Sequence, residues 1–468
     1  MKHYIAIDWG ATSGRVIVAH VENGDTRLEE VHRFAHRIHE AADGHWYWDF
    51  TGLLKESMEG LRKAAKLGHH YESIGVDTWG VDVVFYDEAG QMLAEPLAYR
   101  DPFTTEVPER FFKHLSKESL YEKTGIQLMH FNTVFKLYAC HEEGYRPFLE
   151  AKHILFLPDA VGYYLTGRMV CEYTDLSTSA MMNPRTKELD ADILSLCGLS
   201  REQFPEVVYP GHDLGLLKPE ILAATGLNAD CRVTVVAGHD TGSAVAACPR
   251  KRLVGSDLPC GKEMKLAFLS SGTWSLMGIV TDEPIINEQT AALNFTNEGG
   301  VAGTTRVLKN ITGMWILEQC RKEWKAQYKD YSHPQLIRMA QSIDHSASAP
   351  SSASAPHQAT SLPHQLFNPD EPRFANPESM LSEVCGGSQL TDAEVAWVIY
   401  HSLANRYGEV FRMLQSISPF HIDGLYVIGG GVQNTYLLAL TEEAIGVPVV
   451  AGTTEATALG NIKIQSHE

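Results

Sequence analysis

The sequence predicts an α/β protein built from two related halves, and three observations carry that prediction. "YIAIDWGATSGRVIVAHV" reads as an apolar strand, a Gly/Ser/Thr turn and a second apolar strand. "KLAFLSSGTWSLMGIV" repeats the arrangement in the second half of the chain, an internal duplication. Around both hairpins, short apolar runs alternate with stretches of helical periodicity, the pattern of sheets covered by helices. The 468 residues accommodate two or three domains.

The elements follow in order. "HYIAIDWG" is a buried strand ending in Asp8-Trp9-Gly10, "ATSG" a tight turn and "GRVIVAHV" its hairpin partner. "EEVHRFAHRI" and "HWYWDF" continue the strand pattern. "TGLLKESMEGLRKAAKLG" is a helix, with Thr51 as the expected N-cap and Gly68 as its stop. "SIGVDTWGVDVVFYDEAG" gives two strands around a Trp-Gly break, and "VVAGHDTGSAV" an apolar run that stops at Gly238. After the second hairpin, "LTDAEVAWVIYHSLANRYGEVFRMLQSI" is a long amphipathic helix. "GLYVIGGGVQN" is a strand running into three glycines, followed by the helix "TYLLALTEEAIG" and the strand "VPVVAG". "DHSASAPSSASAPHQATSLPHQ" has almost no large apolar residues and reads as a disordered surface loop around 344–365, inserted within the second domain.

Composition narrows the function. Hydrophobic residues make up 44% and charged residues 21%, an ordinary globular balance, and the net charge of -19 argues against a general nucleic-acid binder. No apolar run is long enough for a membrane span, and the opening residues read as a strand, not a signal peptide. The eight cysteines include no C-x-x-C pair, so reduced thiols are expected, with a regulatory Cys248–Cys260 disulfide as the alternative.

Four stretches carry chemistry, each with two readings. "DWGATSGR" is a plain hairpin turn, or a turn whose small residues let backbone N–H groups and hydroxyls approach a polyphosphate, with Asp8 at the strand end able to hold Mg²⁺. "SSGTWSLMG" and "VIGGGVQN" repeat that choice, since a Cβ would block close phosphate approach. None is a Walker A sequence or a full G-x-G-x-x-G. "DTWGVD" and "AYRDPFT" set Trp79, Asp77, Asp82, Arg100 and Asp101 either in salt-bridged loops or around a polyol. In "GHDTG", Asp240 either caps the helix that follows or serves as a catalytic base at a strand end.

Taken in order, "DWGATSGR", "DTWGVD", "YRD", "GHDTGSAV", "SSGTWSLMG", "TNEGG", "VLKNITGMWILEQC" and "IGGGVQN" make the chain resemble the FGGY carbohydrate kinases from about Ile5 to Ile464. "SSGTWSLMG" and the "VLKN" with a following "GMW" single out one ketose-phosphorylating branch. The resemblance implies two actin-like (ribonuclease H-like, ASKHA) domains, 1–245 and 246–468, with a cleft between them that closes on sugar and nucleotide. It implies ATP- and Mg²⁺-dependent phosphoryl transfer to a ketose, with Asp240 as the base. Gly80, His239, Asp240, Thr241 and Asn310 match sugar-contacting positions, and Ala11, Thr12, Ser13, Gly14, Arg15, Thr273, Glu318 and Gly430 match nucleotide-contacting ones. Glu318 stands where the family often has Gln, and a carboxylate there repels ATP unless it meets the ribose hydroxyls. The chain also ends soon after "EATALGNIKIQ", where the family usually carries further helical sequence, which is expected to weaken domain packing or adenine-side support. The rival readings are a kinase for another ketose and a catalytically silent sugar- or nucleotide-binding protein of the same fold. The expected setting is the cytoplasm, as a monomer or weak homodimer whose partners are ketose and ATP, with neither nucleic acid nor membrane.

Overall fold

The structure, a computed structural model, describes residues 1–249, 264–348 and 365–467. Cys260, and with it the Cys248–Cys260 pairing, lies outside the described residues, as does the Ser/Ala/Pro-rich run over 349–364. The helix His333–Ser348 runs into the start of the segment read as a loop. The described chain forms two compact units. The first comprises residues 1–249, 280–308 and 455–467, and the second residues 264–279, 309–348 and 365–454.

The first unit is built on β1 (Lys2–Trp9), β2 (Ser13–Glu22) and β3 (Asp25–Ala35), then α1 (Phe50–Lys66), β4 (Tyr71–Thr78), β5 (Asp213–Leu216) and β6 (Arg232–Thr234). They form one sheet in the order β5-β6-β4-β1-β2-β3. β1 is central: it pairs antiparallel with β2 and parallel with β4. Ile5, Ala6 and Ile7 are wholly buried, as a strand covered on both faces requires. α1 begins two residues earlier than the sequence predicts. Asp49 is the N-cap, its carboxylate accepting from the Gly52 amide at 2.9 Å, whereas the Thr51 hydroxyl is spent on Glu95. The apolar run 235–238 before His239 is not itself a strand. β6 stops at Thr234, and only an isolated parallel bridge joins Thr78 to His239 before α2 (Asp240–Ala246).

The second half contributes β7 (Leu266–Ser271), β8 (Trp274–Thr281), β9 (Thr296–Gly299), β10 (Thr305–Thr312), α3 (Trp315–Ala326), α4 (Asp392–Ile417), β11 (Gly424–Ile428), α5 (Thr435–Ile445), β12 (Val449–Ala451) and α6 (Ala456–Ser466). The strand order is β9-β10-β8-β7-β11-β12. β7 pairs antiparallel with β8 and parallel with β11, repeating the relation of β1 to β2 and β4. The duplicated hairpins are therefore equivalent elements of two actin-like α/β sheets. α4 starts with a Thr391/Glu394 capping box, and its buried Val395, Leu403, Tyr407 and Phe411 form an apolar stripe.

The last helix, α6, packs within the first unit. A Cβ on Gly460 would fall 1.7 Å from the Ser243 carbonyl oxygen of α2, so no side chain fits there. Gln465 accepts from the Ser73 hydroxyl at 2.6 Å and donates to the Ile5 carbonyl at 3.0 Å. Among the described residues, no helix is long and apolar enough to cross a membrane. The seven described cysteines are free thiols, five of them buried.

Candidate active site

The geometry converges on the turn that leads into α2. Glu172, fully buried, anchors that turn. Its carboxylate accepts from the Gly238 amide at 2.9 Å and from the Thr174 and Asp175 amides at 2.8 and 3.0 Å. The Gly238 carbonyl in turn accepts from the Thr78 amide of β4 at 2.8 Å. His239 is thereby the N-cap residue of α2, and Asp240 its first residue. The reading of Asp240 as a helix cap does not hold: its Oδ1 accepts from the Thr241 hydroxyl at 3.2 Å, and its side chain stays partly exposed.

His239 links Asp240 to a buried ion pair. Its Nε2 lies 3.5 Å from Asp240 Oδ1 and its Nδ1 lies 3.3 Å from Glu298 Oε2. Arg306 holds Glu298 at 3.2 Å, with the Arg306 side chain almost wholly buried. Burial alone would raise the Glu298 carboxyl, but the Arg306 guanidinium and His239 bring it below its ordinary value. Asp240 is shifted the other way. Burial raises it, the nearby His239 opposes, and the Asp8 carboxylate adds to the rise. The result is a carboxylate partly open to solvent, with an imidazole beside it and a proton affinity raised above that of an ordinary aspartate.

Gly80 faces the same place. A Cβ there would meet Asp175 Oδ1 at 3.2 Å, Thr178 Oγ1 at 3.3 Å and His239 Cδ2 at 3.5 Å. Both carboxylate oxygens of Asp175 are buried with no hydrogen-bond partner, and burial holds this group well above its usual value. A buried polar group without a partner is costly and so stands as a candidate ligand contact. Sequence reasoning did not single out Asp175, Glu172, Glu298 or Arg306. Only Glu298 falls in a motif noticed there, "TNEGG".

Asp8 and Asp77 are direct partners across the parallel β1–β4 pair. Asp77 is fully buried. Its Oδ2 accepts from Asn461 of α6 at 2.5 Å, while its Oδ1 has no partner. Burial first, and then Asp8, push its carboxyl well up. Two strand-end carboxylates with an unmatched oxygen are a hard-oxygen donor set that fits a divalent cation. Arg15 sits opposite Asp8 in the hairpin and is ion-paired with both Asp8 and Glu455. Its charge is therefore largely neutralised within the protein. Ala11 and Thr12 form the open turn, followed by Ser13 at the start of β2. Gly14 is small for a packing reason: a Cβ would strike the Phe34 ring at 2.3 Å.

In the second unit, Thr273, Glu318 and Gly430 gather around one turn. The Gly272 and Thr273 carbonyls each accept at 3.1 Å from the Met314 and Trp315 amides, which sets the start of α3, the helix that carries Glu318. Glu318 is half-buried and paired with Arg321 at 2.9 Å and His333 at 3.1 Å. The three glycines after β11 differ in purpose. Gly429, with φ +85°, and Gly431 pack onto Ser271, where a Cβ would lie 2.9 Å and 2.0 Å from its atoms. Gly430 between them faces open space. Asn310 lies on β10 in the same unit.

The sugar-side aromatic reading does not hold for Trp79 and Asp82. Trp79 is buried against Trp9 and Trp48, and its indole N–H donates to Asp82 at 2.8 Å. Asp82 also accepts from Trp48 Nε1 at 2.6 Å and pairs with the buried Lys136. Asp101 is spent on the Trp46 and Phe103 amides and on His45. These carboxylates support the core.

Residues 3–247 match the N-terminal domain of the FGGY family of carbohydrate kinases, and residues 267–468 match its C-terminal domain. The chain belongs to the FGGY family of carbohydrate kinases. The rhamnulokinase of Bacteroides thetaiotaomicron is 44% identical over 472 residues, covering 99% of this chain and 90% of that protein. The rhamnulokinase of Bacillus subtilis is 38% identical over 469 residues, covering 99% and 89%. Among solved structures, a ligand-bound xylulose kinase from Lactobacillus acidophilus superposes with a TM-score of 0.78 at 15% identity, over 100% of this chain and 89% of that one. Plasmodium falciparum glycerol kinase with ADP gives 0.73 at 14% identity, over 99% and 89%. At such identities these likenesses bear on the fold alone.

Proposed function

We propose that this chain is an ATP-dependent kinase for L-rhamnulose, giving L-rhamnulose 1-phosphate and ADP. The observation that carries this reading is the partly exposed Asp240 beside His239 at the start of α2 in a chain of the carbohydrate kinase family, joined to near full-length likeness to rhamnulokinases. Asp240 takes the proton of the sugar's O1 hydroxyl as that oxygen bonds the γ-phosphorus and the bond to the ADP oxygen breaks. His239 steadies Asp240 and is itself steadied by Glu298 and Arg306. Gly80 keeps the backbone close to His239 and Asp175, and Asp175, its carboxyl raised by burial and both oxygens unmatched, offers a hydrogen-bonding group to a sugar hydroxyl. Thr241 and Asn310 are further sugar contacts.

For the nucleotide, the Ala11–Ser13 turn with Gly14 and Arg15 belongs to the first unit, and the open face of Gly430 with Thr273 and Glu318 to the second; each small-residue turn allows backbone approach to a phosphate. Glu318, already ion-paired with Arg321 and in contact with His333, is tolerable near a polyphosphate. Mg²⁺ would be held by Asp8 and Asp77, and when bound it offsets phosphate charge. The seven described free thiols fit a reducing compartment such as the cytoplasm. The test is an ADP-release assay across a ketose panel. L-rhamnulose is expected to give the highest kcat/KM, and a clear preference for L-fuculose or xylulose would overturn the substrate assignment.

A further inference from the structure

At the far end of β1 from Asp8, three histidines meet. His3 and His20 are direct cross-strand partners in the β1–β2 hairpin, so their side chains leave the same face of the sheet. His69 lies just past α1, after Gly68 with φ +74°, and brings a third ring beside them. One ring nitrogen from each lies within 4.8 Å of the other two. His3 Nδ1 and His20 Nδ1 are 3.0 Å apart. Two imidazole nitrogens on one tetrahedral zinc-type ion, each at about 2.0–2.1 Å, stand about 3.3 Å apart, so that spacing is already close to what coordination needs.

A second contact orients the set. Glu29 Oε2 lies 3.2 Å from His20 Nε2. A carboxylate only accepts, so Nε2 carries the proton and the Nδ1 lone pair is presented to His3. A ligating histidine held by a carboxylate through its other nitrogen is the usual outer support of a metal site. Arg27 lies 3.9 Å from the same carboxylate and so competes for it. His3 and His69 are stacked with centroids 4.1 Å apart, whereas His20 is edge-on to both. Convergence on one ion therefore requires His69 to turn about its side-chain bonds, which its loop position permits.

We propose that His3, His20 and His69 form a binding site for one borderline divalent transition cation of the zinc, cobalt or nickel type. Three neutral imidazoles select such ions over magnesium or calcium, which prefer oxygen. The fourth position is open to water. The site is separate from the catalytic groups: His3 and Asp8 are five residues apart on one strand, about 17 Å at about 3.3 Å per residue. Its effect is to clamp β1, β2 and the loop before β4 together.

The test uses the full chain stripped of metal and titrated with Co²⁺ and Zn²⁺ in the absence of nucleotide. Expected are one saturable equivalent per chain, visible Co²⁺ absorption of an imidazole-bound ion and a Tm that rises with Zn²⁺ concentration. His69→Ala, at a half-buried loop position, is expected to remove the saturable phase and the Tm rise. Glu29→Gln is expected to weaken binding by about 10–100-fold. His70→Ala, at an exposed neighbour paired with Asp230, is expected to bind like the parent. Absence of saturable binding by the parent overturns the proposal, and so does a His69→Ala variant that binds with unchanged stoichiometry and affinity. Kinase turnover of His69→Ala with Mg²⁺ and ATP is expected to match the parent, so the outcome does not depend on the sugar assigned.

Discussion

Replacing Asp240 by Asn separates its chemical role from its place in the fold. Asn has the same shape, and its Oδ1 still accepts from the Thr241 hydroxyl that lies 3.2 Å away in the parent. No cavity forms, and the partly exposed site keeps its packing. The charge that is lost is one that burial and Asp8 disfavour, so the variant is expected to be as stable as the parent or slightly more so. What disappears is proton acceptance. General-base help is worth on the order of 10²–10⁴ in rate, which is about 3–5 kcal/mol of barrier. The assay is ADP release at saturating L-rhamnulose and ATP, with calorimetry of sugar binding alongside. In the parent, the carboxyl must be ionised to act. Because its value in the fold is raised above the ordinary 3.8, kcat/KM should fall with decreasing pH at a higher pH than an ordinary aspartate would give. A variant with parental turnover and an unshifted acid limb would refute the base assignment, whatever the protein phosphorylates.

Glu298→Gln should leave the buried Arg306 without its counter-charge and cost about 3–5 kcal/mol, read as a lower Tm in thermal melts. Because the Glu298 carboxyl is lowered in the fold, its stabilisation is present above the unfolded value and lost as pH falls through the folded one, so parent and variant should converge in acid. Asp77→Asn is expected to raise Tm at neutral and alkaline pH, since a carboxyl raised by burial and by Asp8 costs stability once pH exceeds its unfolded value. The same change should raise the Mg²⁺ concentration needed for half-maximal turnover, and an unchanged Mg²⁺ requirement would remove Asp77 from the cation site. Gly460→Ala should lower Tm sharply, by at least the about 1–3 kcal/mol typical of overpacking, because its methyl would collide with the Ser243 carbonyl, which is backbone.

The parts of the fold that local patterning governs are legible in the sequence. The two hairpins, α1, α4 and the strand before the glycines have strong periodicity and clear turn residues, and each stands where the sequence places it. Errors arise where a partner distant in sequence decides. Thr51 is a good N-cap by residue type, but Glu95 claims its hydroxyl and Asp49 takes the cap. Trp79 and Asp82 sit in a motif that resembles a polyol site, yet Lys136 and Trp48, far along the chain, draw them into the core. The return of α6 to the first unit has no local signal, because it depends on Gly460 lying against α2 and on Asn461 and Gln465 reaching β4 and β1.

The site divides in the same way, and the division has a physical cause. Gly80 follows the end of β4 and His239 and Asp240 open α2, and the small residues around them mark both breaks in the sequence itself. The groups that tune them are buried acids from elsewhere in the chain: Glu172 on the Gly238 amide, Glu298 on His239, Asp77 beside Asp8. A buried carboxylate in isolation is indistinguishable in sequence from a surface one, and only its partners reveal that it has been desolvated. These acids are also costly to the fold, since burial raises Glu172, Asp175 and Asp77 alike. Glu172 is used fully, by three amides and a hydroxyl, and so is offset within the protein. Asp175 retains both oxygens unmatched and Asp77 one. That asymmetry distinguishes neighbouring buried acids: the satisfied carboxylate holds the Gly238 turn, and the unsatisfied ones are the candidates proposed above for a sugar hydroxyl and a cation. Replacing Glu172 by Gln should therefore disturb Asp240 through the backbone of Gly238, lowering kcat and stability together, whereas Asp175→Asn should raise KM for the ketose while leaving Tm unchanged or higher.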